Sequence, residues 1–199
     1  MITYHKIDTL YKRDENFSVT DVLKHPVLAS INPWVVTEKV DGTNIRVNLS
    51  HDNVVTYGGR SNNANIPADL VAYLIATFTA EKMAALRLDA EPVSITLFGE
   101  GYGAGIQKGG AYRPDKGFIL FDVLISDRWW LRDEAVTEIA DKLGIPRVPI
   151  LGQYSLTDIR DMVRAGIPSA VANGGYQSEG IVARPLEPLF DANGKRLII

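Results

Sequence analysis

The sequence predicts an α+β fold with largely antiparallel sheets. Three observations carry that prediction. Runs rich in β-branched and aromatic residues, such as WVVTE, NIRVNL and GFILFDVLI, read as strands. Amphipathic stretches with capping and stop signals read as helices. Strands and helices also follow one another without the regular βαβ alternation of a doubly wound parallel sheet.

Near the N-terminus, Ser18 and Asp21 make a capping-box pattern, which predicts a short helix interrupted by Pro26; Pro33 ends the region. Trp34–Glu38 is a strand. In NIRVNL, Ile45, Val47 and Leu49 face one way and Asn44, Arg46 and Asn48 the other. The turn SHDN leads into VVTY as a hairpin. Residues 65–88 predict one helix, with Pro67 in its first turn and Leu70, Leu74, Ile75 and Phe78 as its apolar stripe. VSITLFGE and GFILFDVLI are strong strands. LRDEAVTEIADKLGIP is a helix with Val136, Ile139, Ala140 and Leu143 inward, stopped by Gly144 and Pro146. SLTDIRDMVRAG repeats the design, with Ser155 and Asp158 as a capping box. EGIVARP and RLII read as late strands.

A chain of 199 residues suits one substantial domain. Its 46% hydrophobic and 23% charged residues are ordinary for a globular protein. A net charge of −3 and a pI near 5.6 exclude a protein that coats polyanions with its whole surface, though not one with a local basic groove. With no cysteine there is no disulfide scaffold, thiolate zinc site or cysteine nucleophile. MITYHKIDTL lacks a signal-peptide core, and no apolar run reaches the roughly 18 residues of a membrane span; the expected setting is the cytoplasm. His5, His25 and His51 are scattered and form no ligand pair. Trp129 and Trp130 are expected to pack against the following helix. GEGYGAGIQKGG fits neither a Walker loop nor a Rossmann turn, because it lacks a Gly-Lys-Ser/Thr ending and precedes a loop and a strand instead of a helix.

Five polar features sit at strand ends or beside strands: Lys39 with Asp41, Arg60, Glu100, Asp122 and Glu179. Most lie next to glycine. Taken singly, each reads as a solvated or turn residue. Together they predict strand ends converging on one cleft, where small residues admit a ligand close to the backbone and charges reach it. A lysine, an arginine and several carboxylates there suit a nucleotide with a divalent metal.

These residues fall into an ordered set of motifs that resembles the covalent nucleotidyltransferases, the superfamily of ATP-dependent polynucleotide ligases and capping enzymes. The nearest likeness is to viral RNA ligases of the nick-sealing type. EKVDGTN looks like motif I, LFGEG followed by GAGIQK like motif III and the segment after it, FILFDV like motif IIIa, and SEGIVARP like motif IV. The resemblance implies a ligase adenylation fold with a nucleotide pocket between its sheets. It also implies ATP-dependent RNA joining through a lysyl-AMP intermediate, with Mg²⁺ or Mn²⁺. Lys39 would be the nucleophile, and attack needs its neutral amine. Partial burial, the metal or Arg60 favour that form and neighbouring carboxylates oppose it. Glu38 would read the adenine edge, Glu100 the ribose, and Phe121 would stack on the base. Asp41, Gly42 and Asn44 complete motif I around the nucleotide. Arg60 would contact phosphate, and Arg184 stands where a lysine is commoner. Glu179, with Glu100, would hold the metal; Gln107 and Lys108 would touch RNA or phosphate.

The resemblance further implies an RNA partner with 5′-phosphate and 3′-hydroxyl ends and a monomeric protein. Residues 1–199 are expected to form a single adenylyltransferase domain ending just before motif V, a Lys-x-Lys pair that follows a run such as RLII. Lys195 precedes that run, out of register. The family's C-terminal RNA-binding domain is expected to be absent. Three alternatives stay open: a DNA ligase, a GTP-dependent capping enzyme, and a non-catalytic nucleotide- or RNA-binding module.

Overall fold

A computed structural model describes residues 2–87, 92–172 and 174–199. Its strands in chain order are β1 (Tyr11–Arg13), β2 (Val19–Leu23), β3 (Trp34–Lys39), β4 (Thr43–Leu49), β5 (Val55–Gly58), β6 (Ile95–Tyr102), β7 (Gly117–Ile125), β8 (Trp129–Trp130), β9 (Ile150–Tyr154) and β10 (Gly180–Pro185). The α-helices are α1 (Ala68–Thr77), α2 (Ala80–Ala84), α3 (Asp133–Leu143) and α4 (Leu156–Ala165). All the paired strands run antiparallel, as the α+β reading requires. Two compact units emerge. The first comprises Met1–Tyr4, Val40–Val148 and Val171–Tyr176; the second His5–Lys39, Pro149–Ala170 and Gln177–Ile199.

In the first unit a five-stranded sheet runs β5-β4-β6-β7-β8. Ile45, Val47 and Leu49 of β4 face a core shared with Leu97, Phe118, Leu120 and Val123. α1 and α2 cover it with Leu70, Leu74, Phe78 and Met83, and α3 with Val136, Ala140 and Leu143. The single helix expected over 65–88 is in fact two. Phe78 leaves helical geometry, and the Thr79 hydroxyl accepts from Lys82 N, capping a new start. Ile75 is turned out and 55% exposed, and Leu88 lies outside the described residues. Gly144 stops α3 as expected, in the left-handed conformation at φ 65°. Trp130 packs against Tyr4 and Phe98, while Trp129 stays exposed beneath Arg128. Trp130 therefore packs on a neighbouring strand and the N-terminal segment, and Trp129 stays outside the core.

The second unit holds the sheet β10-β3-β9 and the hairpin β1-β2. Trp34 and Val36 of β3, Ala183 of β10, Ile159 of α4 and Leu28 form its core. α4 carries the expected capping box between Ser155 and Asp158. RLII forms no strand span, yet Ile199 exchanges two backbone hydrogen bonds with Ala183, at 2.7 and 3.0 Å. The helix expected after Ser18 is absent. Asp14 instead takes the local hydrogen bonds, from Asn16 N and Ser18 N, and makes a turn. β-Branched Val19, Thr20 and Val22 then extend as β2 against β1. No described helix is long and apolar enough to cross a membrane.

Candidate active site

In the second unit, β3 ends on Glu38 and Lys39, and strand alternation sends them to opposite faces. Glu38 faces inward and is only 2% exposed. Its carboxylate accepts from the Ser169 hydroxyl and, at 2.8 Å, from Ala170 N. Lys39 sits across from Gly180 in the β3–β10 register, which brings Glu179 alongside. Lys39 Nζ and Glu179 Oε1 form an ion pair, their side chains keeping 44% and 40% of their surface. Lys39 is therefore paired and open to solvent, not sequestered. A Cβ on Gly180 would meet nothing within 4 Å, so the space beside Lys39 is clear. Arg184 shares this face four residue pairs further on, roughly 13 Å along the strands. A cavity of about 500 Å³ reaches Lys39, walled by Tyr11, Ile159, Val163 and Ile181 among others.

Val40 opens the longest segment of the first unit. Asp41 N donates to the Tyr112 hydroxyl and Asp41 Oδ2 accepts from Lys108 N, both at 3.3 Å. The turn after Lys39 is thus tied to the glycine-rich loop that follows β6. Ile106 anchors that loop in the core, leaving Gln107 and Lys108 exposed beside it. Gly103, at φ 118°, lets the loop fold back, since a Cβ there would collide with the Asp115 carbonyl. Paired hydrogen bonds of 2.8 Å from Arg113 to Asp115 brace the far side and hold the guanidinium above its ordinary value.

Asn44 on β4 lies directly opposite Glu100 on β6. Asn44 Oδ1 is buried with no hydrogen-bond partner among the described residues, an acceptor that fits a donor from a ligand. Phe121 and Asp122 do not sit at a strand end. They lie mid-way along β7, where the register jumps from Asp122 to Leu120 and leaves Phe121 as the extra residue of a bulge. Bulges re-aim side chains, and Phe121 is half-buried with the Tyr4 ring edge-on at 5.1 Å. Asp122 caps no turn: it is fully buried and accepts from the Tyr4 hydroxyl at 2.8 Å. Arg60 is exposed on the loop after β5.

The motif glycines act differently from the expectation. A Cβ on Gly42 would stand 2.7 Å from Glu100 Cγ, and one on Gly101 2.6 Å from Leu70 Cδ2. They serve close packing of the chain on itself; Gly180 alone of the three faces open space. Glu100 and Glu179 belong to different units. Among the described residues no three histidine, cysteine or acidic side chains gather into a metal-sized group. Glu179, an open carboxylate beside Lys39, is the kind of single oxygen donor that suits a hard cation otherwise held by water and phosphate oxygens.

A profile of the family described as RNA ligase matches residues 32–199. The chain belongs to the RNA ligase family. This RNA ligase family member shares its fold with solved Naegleria gruberi RNA ligases. One alanine variant, with ATP and Mn, matches at TM-score 0.65 and 19% identity over 97% of this chain and 60% of its own. A second, also with ATP and Mn, matches at 0.63 and 20% over 86% and 50%. A third, apo, matches at 0.60 and 23% over 77% and 46%. The chain thus spans about half the length of these relatives. The expected likeness to RNA ligases is borne out.

Three residues escaped the sequence reading. Ser169 and Ala170 hold Glu38 from 131 and 132 positions away, and no local pattern links them. Arg46 looked like one outward residue of an alternating strand, yet it is 1% exposed. The glycine pair at 58–59 beside it was the available signal.

Proposed function

We propose that this chain is the adenylyl-transferring part of an ATP-dependent RNA ligase, with Lys39 as the nucleophile. The pairing of Lys39 with Glu179, at the clear edge of β3 and β10, carries the reading. Its place inside the family match and the ATP and Mn of the solved relatives support it.

In the resting chain, Glu179 is the ion-pair partner of Lys39. Glu179 would be a ligand for a divalent cation, which would supply neutralisation of phosphate charge. Lys39 then gives one proton to solvent, and its lone pair attacks the α-phosphorus of ATP. The N–P bond forms, the bond from the α-phosphorus to the β-phosphate oxygen breaks, pyrophosphate leaves, and the nitrogen releases its second proton to solvent. An oxygen of an RNA 5′-phosphate next attacks the same phosphorus, the P–N bond breaks and Lys39 is reprotonated. A 3′-hydroxyl finally attacks the 5′-phosphorus, loses its proton and expels AMP. Asn44, with its unpartnered acceptor, and Glu100 opposite it serve the sugar and base. Phe121 supplies a stacking edge, and Glu38, Asp41 and Gly42 shape the nucleotide side. Arg60 and Arg184 meet phosphate, Gln107 and Lys108 the RNA. Glu179 and Glu100 are the metal donors. The substrate ends, a monomeric state and a cytoplasmic setting belong to the same proposal.

The test is incubation with α-labelled ATP or GTP and either Mg²⁺ or Mn²⁺, followed by denaturing electrophoresis and peptide mapping. A labelled Lys39 peptide with ATP is expected. Labelling by GTP alone refutes the ligase reading, and no adduct with either favours a binding module.

A further inference from the structure

We propose that Arg46 is a positioning residue that holds the loop carrying Arg60 in shape for phosphate. The inference rests on the role given to Arg60 above and deepens it.

Arg46 projects from the sheet face opposite the hydrophobic core and is still 1% exposed. A guanidinium carries five donors in a rigid fork and loses much hydration when buried, so its partners report what it is for. Arg46 Nε donates to the Gly59 carbonyl at 2.7 Å, immediately before Arg60. Arg46 Nη2 donates to Asn62 Oδ1 at 3.1 Å, two residues after it. Arg46 Nη1 donates to the Ile2 carbonyl at 3.0 Å, pinning the N-terminal segment to the same point. One planar group thus grips the Arg60 loop on both sides while Arg60 itself stays exposed.

The neighbouring sequence makes room for this. Arg46 pairs across the strands with Gly58, where a Cβ would come within 3.0 Å of Arg46 Nη2. A Cβ on Gly59 would stand 2.7 Å from the Ala64 Cβ, so the loop can close only with glycine there. The two glycines before Arg60 therefore accommodate the brace and the tight turn. Within the loop itself a hydrogen bond joins Ala64 N to the Ser61 carbonyl at 3.2 Å. Arg46 adds attachments from outside the loop, on the rigid strand β4.

Three variants test this. Asn62→Ala trims an exposed residue and leaves the core untouched. Arg46→Lys keeps a charge but cannot span three acceptors. Arg60→Ala removes the group being positioned. Amide order parameters of residues 59–64 are expected to fall from rigid values toward about 0.6 in Asn62→Ala and Arg46→Lys. Affinity for a non-hydrolysable ATP analogue, by calorimetry, is expected to drop on the order of tenfold in Arg46→Lys, the scale seen when an outer partner of a binding group is lost. In the Arg60→Ala background, adding Arg46→Lys is expected to change affinity no further. Unchanged order parameters in both variants overturn the brace, whatever the chain does with ATP. Losses that multiply in the double variant, or an Arg60→Ala chain that binds like the parent, overturn its action through Arg60 while leaving Lys39 labelling to judge the ligase reading.

Discussion

Removing either member of the Lys39–Glu179 pair should separate chemistry from folding. The two side chains keep 44% and 40% of their surface, so their attraction is strongly screened by solvent. An exposed pair of this kind contributes about 0.2–1 kcal/mol. In a chain of 199 residues each kcal/mol moves the melting midpoint by about 2–4 °C, so Lys39→Ala and Glu179→Ala should each lose less than about 4 °C. The residue next door behaves oppositely. Glu38 is 2% exposed, and Glu38→Ala strips the acceptor from the Ser169 hydroxyl and Ala170 N, a loss of roughly 1–3 kcal/mol. The assay pairs calorimetric melting with intact-mass detection of the AMP adduct. Lys39→Ala should show no adduct at all. Glu179→Ala should form it on the order of a hundredfold more slowly, the upper range for losing a group that supports a metal. An adduct in Lys39→Ala refutes the nucleophile. A melting loss in Glu179→Ala as large as that in Glu38→Ala refutes the account of the exposed pair.

Other outcomes follow from the same geometry. Hydrogen bonding to Lys24, aided by Lys195, lowers the Asp8 carboxyl to about 2. A depressed carboxylate stabilises the fold above its unfolded value, near 3.8, and that stability is lost as pH falls toward 2. Asp8→Asn should therefore remove on the order of 1 kcal/mol at neutral pH and flatten the acid limb of a pH-dependent melting series; an unchanged limb would remove Asp8 from the explanation. Gly42→Ala should cost about 1–3 kcal/mol and a larger share of adduct formation, since the new methyl strikes β6; a melt and adduct yield matching the parent would contradict the packing account. Ser155→Ala deletes the α4 cap and should lower stability by about 1 kcal/mol while sparing the adduct, as melting and labelling side by side would reveal.

The strands β3, β4, β6, β7 and β10 were legible because each places a dense apolar or alternating run against a core. β1, β8 and β9 were not, since they span only two to five residues and owe their form to partners far along the chain. β2 shows a local signal losing to tertiary pairing. The Ser18-x-x-Asp21 pattern would cap a helix in isolation, but Asp14 claimed the local amides and the β-branched residues found β1. The break between α1 and α2 is the reverse case. Apolar spacing continues through Phe78, yet the Thr79 hydroxyl offers the backbone a competing cap that periodicity does not register.

The chemistry was legible as an order of motifs and not as a geometry, and the difference is one of register. Lys39 and Glu179 are 140 positions apart, and only the β3–β10 pairing of Lys39 with Gly180 makes them neighbours. Glu179 stands one residue before β10 begins, so its closeness to Lys39 depends on where that strand starts as well as on its register. Phe121 depends likewise on a bulge, a single unpaired residue that no composition announces. Arg46 is the sharper lesson. Alternation in NIRVNL correctly puts it opposite the core, and the usual inference from that position is solvent. Gly58, two residues before Arg60, contradicts the inference, because a Cβ there would crowd the space above it, within 3.0 Å of Arg46 Nη2. A buried guanidinium occupies it, and the loop on which Arg60 is displayed takes its shape from that contact.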